Sequence, residues 1–147
     1  MKKVILGIDS WYPQVDGVTN AVVNYRKNLS EPFSADIVAP SYGKKRDEEG
    51  EERYCEGVFH NRSLAVPFIG FRNSVPASDR KLKKMLSDQK LAILHAHSPF
   101  AICKFFAKYG KKHGIPVVYT FHTKYKDEFY RVTHSRFIAF VMTRIIL

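Results

Sequence analysis

Apolar residues follow two alternating patterns along the chain, and together they predict a fold of alternating strands and helices. Short continuous apolar runs predict strands at residues 4–8, 35–39, 57–62, 91–95 and 117–121. Between them, apolar residues at helical spacing predict helices at residues 17–29, 79–89, 99–113 and 124–147. Strands that are apolar at successive positions are typical of a parallel sheet covered on both faces. We therefore expect an α/β fold, an open, doubly wound parallel sheet of the Rossmann-like class in a single domain.

Breakers and polar stretches set the expected limits of these elements. Ser78 has a side chain that can cap a helix start, and Gly114 is suited to the end of the next helix. The charged residues 41–56 predict a mobile surface loop. The last helical stretch is expected to contribute these apolar residues to the core: Phe129, Val132, Phe137, Phe140, Val141 and Ile145.

Length and composition agree with one globular domain. The chain has 147 residues, of which 45% are apolar, and this is enough to build a packed core. Two cysteines are too few for a disulfide scaffold or a multi-cysteine zinc module. No apolar run approaches the ~20 residues that cross a bilayer, and the first run ends at Asp9, too early for a signal peptide. These features predict a cytoplasmic protein.

The net charge is strongly positive and unevenly distributed. There are 24 Lys and Arg against 14 Asp and Glu, a formal charge of +10. Residues 47–56 have a local balance of −5, so the rest of the chain carries +15. Such an excess favours a polyanionic partner, which could be an anionic membrane, a nucleic acid or a phosphorylated small molecule. A solvated basic surface explains the charge alone equally well.

Candidate chemistry gathers where three of the predicted strands end. Residues 9–17, 95–99 and 122–125 follow the first, fourth and fifth strands. In open parallel sheets, ligands bind outside the carboxyl ends of the strands. Distant segments that carry glycine and histidine should therefore meet at one edge of the sheet, and this convergence predicts a ligand site.

Gly17 stands directly before a predicted helix, whose free N–H groups and dipole favour an anion such as phosphate. A turn that needs a positive φ would explain the same glycine without any ligand. The segment is neither a G-x-G-x-x-G fingerprint nor a P-loop, which counts against dinucleotide binding and P-loop hydrolysis.

Two histidine-bearing segments follow the later strands. His95 and His97 are two residues apart and share one side of their strand. A metal site would need a third ligand; none lies close in sequence, so we expect no metal. Hydrogen bonding at the strand end or, for His95, a place in the core fits better. His122 follows a buried strand and could hydrogen-bond a sugar hydroxyl, move a proton or cap its loop.

Three segments, taken together, resemble one enzyme family. They are Trp11-Tyr12-Pro13-Gln14-Val15-Asp16-Gly17-Val18-Thr19, His95-Ala96-His97-Ser98-Pro99 and Pro116-Val117-Val118-Tyr119-Thr120-Phe121-His122-Thr123. In order and spacing they resemble the N-terminal half of retaining GT-B glycosyltransferases of the group-1, or family 4, type, and the similarity covers about residues 3–145. That family includes lipid glucosyl- and mannosyltransferases and polysaccharide enzymes.

The resemblance implies two Rossmann-like domains that face a cleft, of which this chain is the acceptor-side one. It implies that a sugar moves from a nucleotide-sugar to a lipid or saccharide acceptor, with retained configuration and without a metal or other cofactor. Gly17 and Val18 match the loop that approaches the donor phosphates, and His122 matches the catalytic histidine that contacts the transferred sugar. The other substrate-binding candidates, in or beside the matched segments, are Asp16, His97, Ser98, Thr123 and Tyr125.

In this family a second, C-terminal domain binds the nucleotide-sugar and carries an E-x7-E motif. The sequence stops at Leu147, so we expect the donor domain to be missing, in a cloned fragment or a natural short relative. Without that domain's phosphate contacts, the chain should have no useful transferase activity alone. The apolar residues 137–147 should then favour self-association.

The resemblance also gives the basic surface a specific meaning, because membrane-associated members bind anionic lipid through a basic, apolar-studded N-terminal domain. The membrane-contact candidates are Arg80, Lys81, Lys83, Lys84, Phe68, Ile69 and Phe71. They predict a peripheral position on the inner face of the membrane; an ordinary exposed helix face is the alternative. A non-catalytic basic module for an anionic membrane is the second functional hypothesis. We expect no nucleic-acid partner, because no zinc finger, helix-turn-helix or RNA-binding signature is present.

Overall fold

The computed structural model describes residues 1–66, 70–122 and 125–146. The strands are β1 (Lys2–Gly7), β2 (Phe33–Pro40), β3 (Val58–Asn61), β4 (Ser63–Ala65), β5 (Arg72–Ser74), β6 (Leu91–Ala96) and β7 (Val117–Tyr119). The helices are α1 (Gly17–Asn28), α2 (Lys44–Arg53), α3 (Arg80–Ser87), α4 (Ala101–His113), α5 (Tyr125–Thr133) and α6 (Arg136–Ile146).

Five of these strands form one parallel sheet, in the order β3-β2-β1-β6-β7. In the central strand, Leu6 lies opposite Ile37 of β2 on one side and His95 of β6 on the other. The strand order reverses direction at β1, so the sheet is doubly wound and its switch point lies between β1 and β6. The expected Rossmann-like class is confirmed. The short antiparallel pair β4-β5 is separate from this sheet and was not expected from the sequence.

Both faces of the sheet are covered around the central strands β1 and β2, which explains why these strands are apolar at successive positions. The edge strand β7, which we expected to be buried, instead exposes Val117 and Val118. Leu6 belongs to one core cluster, which α1 closes, whereas the neighbouring Ile5 belongs to a second cluster with residues of α3 and α4. The second face is packed very closely, because a Cβ on Gly7 would stand 2.5 Å from the ring of Phe106. This close approach holds α4, and the turn before it, against the end of β1.

The charged stretch 41–56, which we expected to be a mobile loop, instead contains helix α2. The helix packs on the segment after β1, where a Cβ on Gly50 would lie 2.8 Å from Cβ of Tyr12 and 3.0 Å from Nε1 of Trp11. Asp47 is buried and accepts a hydrogen bond from the backbone N–H of Tyr42 at 2.7 Å. These tertiary contacts stabilise a helix that has almost no apolar pattern of its own.

The start of α3 and the end of the chain also differ from expectation. Asp79, not Ser78, caps α3, because one carboxylate oxygen accepts hydrogen bonds from the N–H groups of Lys81 and Leu82. The expected last helix is two helices, which are separated at His134, whose φ is 52°.

The apolar residues of α5 and α6 that we expected in the core are largely outside it. Val132 and Phe137 are 78% and 76% exposed, and Phe140 and Val141 are also exposed, while Phe129 is half-buried. The side chain of Ile145 lies outside the described part of the chain. Self-association through this apolar surface stays a prediction.

Candidate functional site

The segment between β1 and α1 is anchored in the core at one end and capped at the other. Trp11 is fully buried and packs edge-on against Tyr54. Asp16 is the N-cap of α1; its Oδ1 accepts a hydrogen bond from the N–H of Thr19 at 2.8 Å, and its Oδ2 accepts one from Ser10 Oγ at 3.0 Å. The carboxylate of Asp16 therefore holds the start of the helix while remaining solvent-exposed.

Gly17 is the first residue of α1 and faces open space. It does not have a positive φ, so a strained turn does not explain the glycine. No atom lies within 4 Å of where its Cβ would be. The side chain of its neighbour Val18 is partly buried and packs against the first core cluster. The helix start is thus sterically free for an anion.

The three segments singled out in the sequence meet at the carboxyl edge of the sheet. The N–H of His97 donates to the carbonyl of Gly7 at 2.9 Å, and the N–H of Thr120 donates to the carbonyl of Ala96 at 3.0 Å. The N–H of Asp9 donates to Ser98 Oγ at 3.3 Å. The buried Ser98 hydroxyl therefore links the end of β1 to the turn after β6.

A cluster of three imidazoles lies at this edge. Nδ1 of His97 and Nε2 of His122 are 2.8 Å apart, within hydrogen-bond distance, and the two rings stack at 5.1 Å between centroids. The rings of His95 and His97 are 4.0 Å apart, and Nε2 of His95 bonds to Oγ1 of Thr120 at 2.7 Å. Tyr25 of α1 completes the cluster, with its ring 5.2 Å from that of His97. Tyr25 lies in the helix that the sequence predicted at residues 17–29, and no role in a site was predicted for it.

Burial keeps the inner imidazoles uncharged. Burial, with the nearby His95 and His122, lowers the pKa of His97 to about 3. Burial, with His122, also lowers the pKa of His95 below its ordinary value. Both rings are therefore neutral at physiological pH, and each can donate from one nitrogen and accept at the other.

Asp9 is a buried acid at this edge, for which the sequence analysis predicted no individual role beyond its place at the start of the candidate segment 9–17. It is 4% exposed, and both of its carboxylate oxygens lie 3.4 Å from the N–H of Ile102, in the first turn of α4. Burial raises the pKa of Asp9 to about 7, although hydrogen bonds from Ile102 and Ser74 oppose the rise. A lone acid directly after the apolar run at residues 4–8 was the available sequence signal.

Two of the expected substrate contacts cannot be placed. Thr123 lies outside the described residues, and so does the side chain of Tyr125, although its backbone begins α5. Within the described ranges, no group of three or more His, Cys, Asp and Glu side chains is arranged to hold a metal ion.

Over most of its length the chain matches a known protein family. The model of Glycosyltransferase Family 4 matches residues 15–145 of the chain. The chain belongs to glycosyltransferase family 4. A relative from Acholeplasma laidlawii, named an alpha-monoglucosyldiacylglycerol synthase, is 29% identical over 142 residues, which cover 92% of this chain and 32% of the relative. The family 4 chain thus spans about a third of the length of the curated relative it matches.

The family 4 chain has a second notable surface, a basic groove between α3 and α4. The groove has a volume of about 490 Å³, and its lining includes Lys83, Lys84, Lys108, Lys112, Phe105 and Tyr109. An adjoining groove of about 430 Å³ shares Phe105 and Lys108 and adds Lys104. Neither groove has an acidic residue among the described residues that line it. We call the two together the lysine groove.

The residues expected to contact a membrane do not all lie in the lysine groove. Lys83 and Lys84 face α4, whereas Arg80 and Lys81 line a different groove beside Arg62, so the four cations do not form one surface. Phe71 is half-buried, and Phe68 and Ile69 lie outside the described residues. The sequence analysis missed the lysines of α4, although their spacing at residues 104, 108 and 112 is the i, i+4 repeat of one helix face. No described helix of this family 4 chain is both long enough and apolar enough to cross a bilayer.

Proposed function

We propose that the chain is the acceptor-side domain of a glycosyltransferase that moves a sugar from a nucleotide-sugar to a lipid, with retained configuration and no metal or other cofactor. One observation carries the proposal: the paired imidazoles of His97 and His122 lie at the carboxyl edge, where the end of β1 meets the β6 segment. Membership of family 4 supports the transfer chemistry. The name of the A. laidlawii relative supports a diacylglycerol type of acceptor.

Each residue has a distinct part in this proposal. The N–H groups of Gly17 and Val18, at the positive end of the α1 dipole, meet the donor phosphates. His122 hydrogen-bonds a hydroxyl of the transferred sugar. Ser98 and Asp16 hold the two turns that form the edge, because their side-chain oxygens accept backbone N–H bonds there. Thr123 and Tyr125 remain candidates for substrate contact.

The donor-binding groups, in this proposal, come from a second domain. The proposed sugar transfer involves one bond broken, one bond formed and one proton moved. The bond from the anomeric carbon to the diphosphate breaks, a bond to the acceptor oxygen forms on the same face, and the acceptor proton passes to the leaving phosphate. In this proposal that second domain stabilises the leaving phosphate, so residues 1–147 tested by themselves should transfer no sugar.

The His122→Ala variant tests the proposed role of His122. In a protein that joins this domain to a donor-binding domain, we expect turnover with UDP- or GDP-sugars and diacylglycerol to fall at least about tenfold, because a hydrogen bond to the sugar is lost. His134→Asn is the matched control, since His134 is exposed between α5 and α6 and asparagine tolerates its positive φ. Unchanged turnover in His122→Ala, with the fold intact, would remove His122 from the site.

We also propose that the lysine groove brings the domain to an anionic membrane, at its cytoplasmic face. This second proposal rests on charge. Lysines from α3 and α4 line the groove together with the aromatic rings of Phe105 and Tyr109, and no described residue that lines it is acidic. Lysine stems can cover apolar surface while their ammonium groups meet lipid phosphates. Lys83 and Lys84 keep their expected role, but their partners are lysines of α4 rather than Arg80 and Lys81.

The double variant Lys108→Gln/Lys112→Gln tests the membrane proposal. Each lysine near an anionic surface contributes about 1 kcal/mol, so we expect vesicle affinity to fall roughly thirtyfold. Binding is measured by co-sedimentation with vesicles of phosphatidylglycerol and phosphatidylcholine at low salt. Lys44→Gln/Lys45→Gln is the matched control, because it removes the same charge from exposed positions on α2. Equal losses in both double variants would mean that net charge, and not the groove, binds the membrane.

A further inference from the structure

We propose that His97 is a positioning residue that fixes the tautomer and ring orientation of His122, so that Nδ1–H of His122 is the group presented to the ligand. The carrying observation is the 2.8 Å contact between Nδ1 of His97 and Nε2 of His122. The inference rests on the proposed function only for the identity of that ligand, a sugar hydroxyl. It differs from the substrate-binding role that the resemblance implied for His97 and agrees with the other expectation from the sequence, hydrogen bonding at the strand end.

His97 is not placed to touch a substrate. Its side chain is 1% exposed, and its backbone N–H is bound to the carbonyl of Gly7. The ring lies between that of His95, at 4.0 Å, and that of His122, at 5.1 Å, with Tyr25 at 5.2 Å. These neighbours fix the orientation of the His97 ring. The hydrogen bond between His97 and His122 then fixes the orientation of the His122 ring.

The proton in the contact can be assigned from the other nitrogen of His97. Nε2 of His97 is buried and has no hydrogen-bond partner among the described residues. A proton there would create an orphaned buried N–H, which is rare in folded proteins. The proton of His97 is therefore placed on Nδ1, where it is donated to His122. Nε2 of His122 must then be the acceptor.

The tautomer of His122 follows directly. A neutral imidazole carries one proton, so an acceptor at Nε2 leaves the proton on Nδ1. This is opposite to the Nε2–H form that free histidine prefers in water. His122 is half-buried, unlike His97, and no described residue occupies its Nδ1. The buried His97 thus orients the more exposed His122 towards a ligand, as second hydrogen-bond partners orient the histidines that bind metals.

The tautomer can be measured on this chain without any substrate. In ¹⁵N-labelled protein at neutral pH, two-bond ¹⁵N–¹H correlations distinguish Nδ1–H from Nε2–H in each neutral imidazole. The His122 signals are assigned as those that disappear in His122→Asn. We expect His122 to be the Nδ1–H form. A dominant Nε2–H form of His122 in the unmodified chain would overturn the proposal.

Two variants separate positioning from simple packing. In His97→Phe the ring volume is kept and the donor is lost, so His122 should revert towards Nε2–H. In His97→Asn the amide nitrogen stands near the position of Nδ1 and can still donate, so the Nδ1–H form should return. If His122 keeps the same tautomer in all three proteins, His97 has only a packing role. Should His97→Phe fail to fold, the tautomer of His122 in the unmodified chain and in His97→Asn still tests the proposal.

Kinetics provide a second readout in the two-domain protein. We expect His97→Phe to lower kcat about ten- to a hundredfold, which is the usual loss when the residue that orients a metal-binding histidine is removed. We expect His97→Asn to recover most of the lost kcat. A double variant with His122→Ala should lose no more than His122→Ala alone. If the two-domain protein transfers no sugar at all, the proposed function fails while the tautomer measurement still judges the role of His97.

Discussion

We expect the Asp9→Asn variant to be more stable than the parent at pH 8, by up to about 4 kcal/mol, because a pKa raised from 3.8 to about 7 is an energetic cost of ionising a buried group. The amide oxygen of the introduced asparagine can still accept the hydrogen bond from the N–H of Ile102. The amide carries no charge that burial would penalise. The free energy of unfolding is measured by urea denaturation of both proteins.

The effect should depend on pH in a definite direction. The folded chain holds the Asp9 proton more tightly than the unfolded chain, so between pH 3.8 and about 7 the folded state binds more protons. Stability from this group is therefore greatest below pH 3.8 and is lost as the pH rises towards 7. The advantage of Asp9→Asn should accordingly shrink to almost nothing near pH 4.

Asp88→Asn is the matched control for Asp9→Asn, since Asp88 is exposed at the end of α3. It should change stability by less than about 0.5 kcal/mol at either pH. An Asp9→Asn advantage of the same size at pH 4 and pH 8 would show that ionisation of Asp9 is not its cause. Because Asp9→Asn should leave α4 and the turn after β6 in place, its transfer activity should also show whether the site needs the charge of Asp9.

Substituting Gly17 should reduce transfer strongly while leaving the fold intact. The space beside Gly17 is open within 4 Å, so Gly17→Ala and Gly17→Val should change the free energy of unfolding by less than about 1 kcal/mol. In the two-domain protein the same side chains would occupy the proposed phosphate position. We expect kcat/KM for the nucleotide-sugar to fall stepwise, by about a hundredfold or more for valine.

The matched control for this series is Asn24→Val, an exposed position on the same helix away from its N-terminus. It adds a similar side chain to α1 and should leave kcat/KM within about twofold of the parent, since surface changes away from a site have small effects. If Gly17→Val transfers sugar as well as Asn24→Val does, the donor phosphates do not approach α1. A parallel loss of stability in Gly17→Val would instead indicate a structural need for the glycine.

The sequence predicted best what depends on local pattern. Helix α1 was expected at residues 17–29 and is found at Gly17–Asn28, because its apolar residues repeat at helical spacing. Helix α2 was missed for the opposite reason. Its residues are mainly charged, and its helical state depends on contacts of Gly50 with Trp11 and Tyr12, far away in the chain. Ser78 and Asp79 were equally good caps in sequence, and only the position of α3 distinguished them.

The candidate site shows the same division. The rule that ligands bind at the carboxyl ends of parallel strands was sufficient to select the segments after β1, β6 and β7 from the sequence. It could not show that His97 is buried and hydrogen-bonded to His122. A hydrogen bond between residues 25 positions apart depends on the relative placement of β6 and β7. Nor could it show the lysine groove, whose cations come from two separate helices.

By itself, therefore, the sequence determined the class of fold, the order of its elements and the edge where distant segments meet, since periodicity and strand direction are properties of the chain alone. The tertiary structure decided which groups at that edge are neutral, which are exposed and which hold one another. Burial and proximity have no sequence pattern, and they set the states of Asp9, His97 and His122.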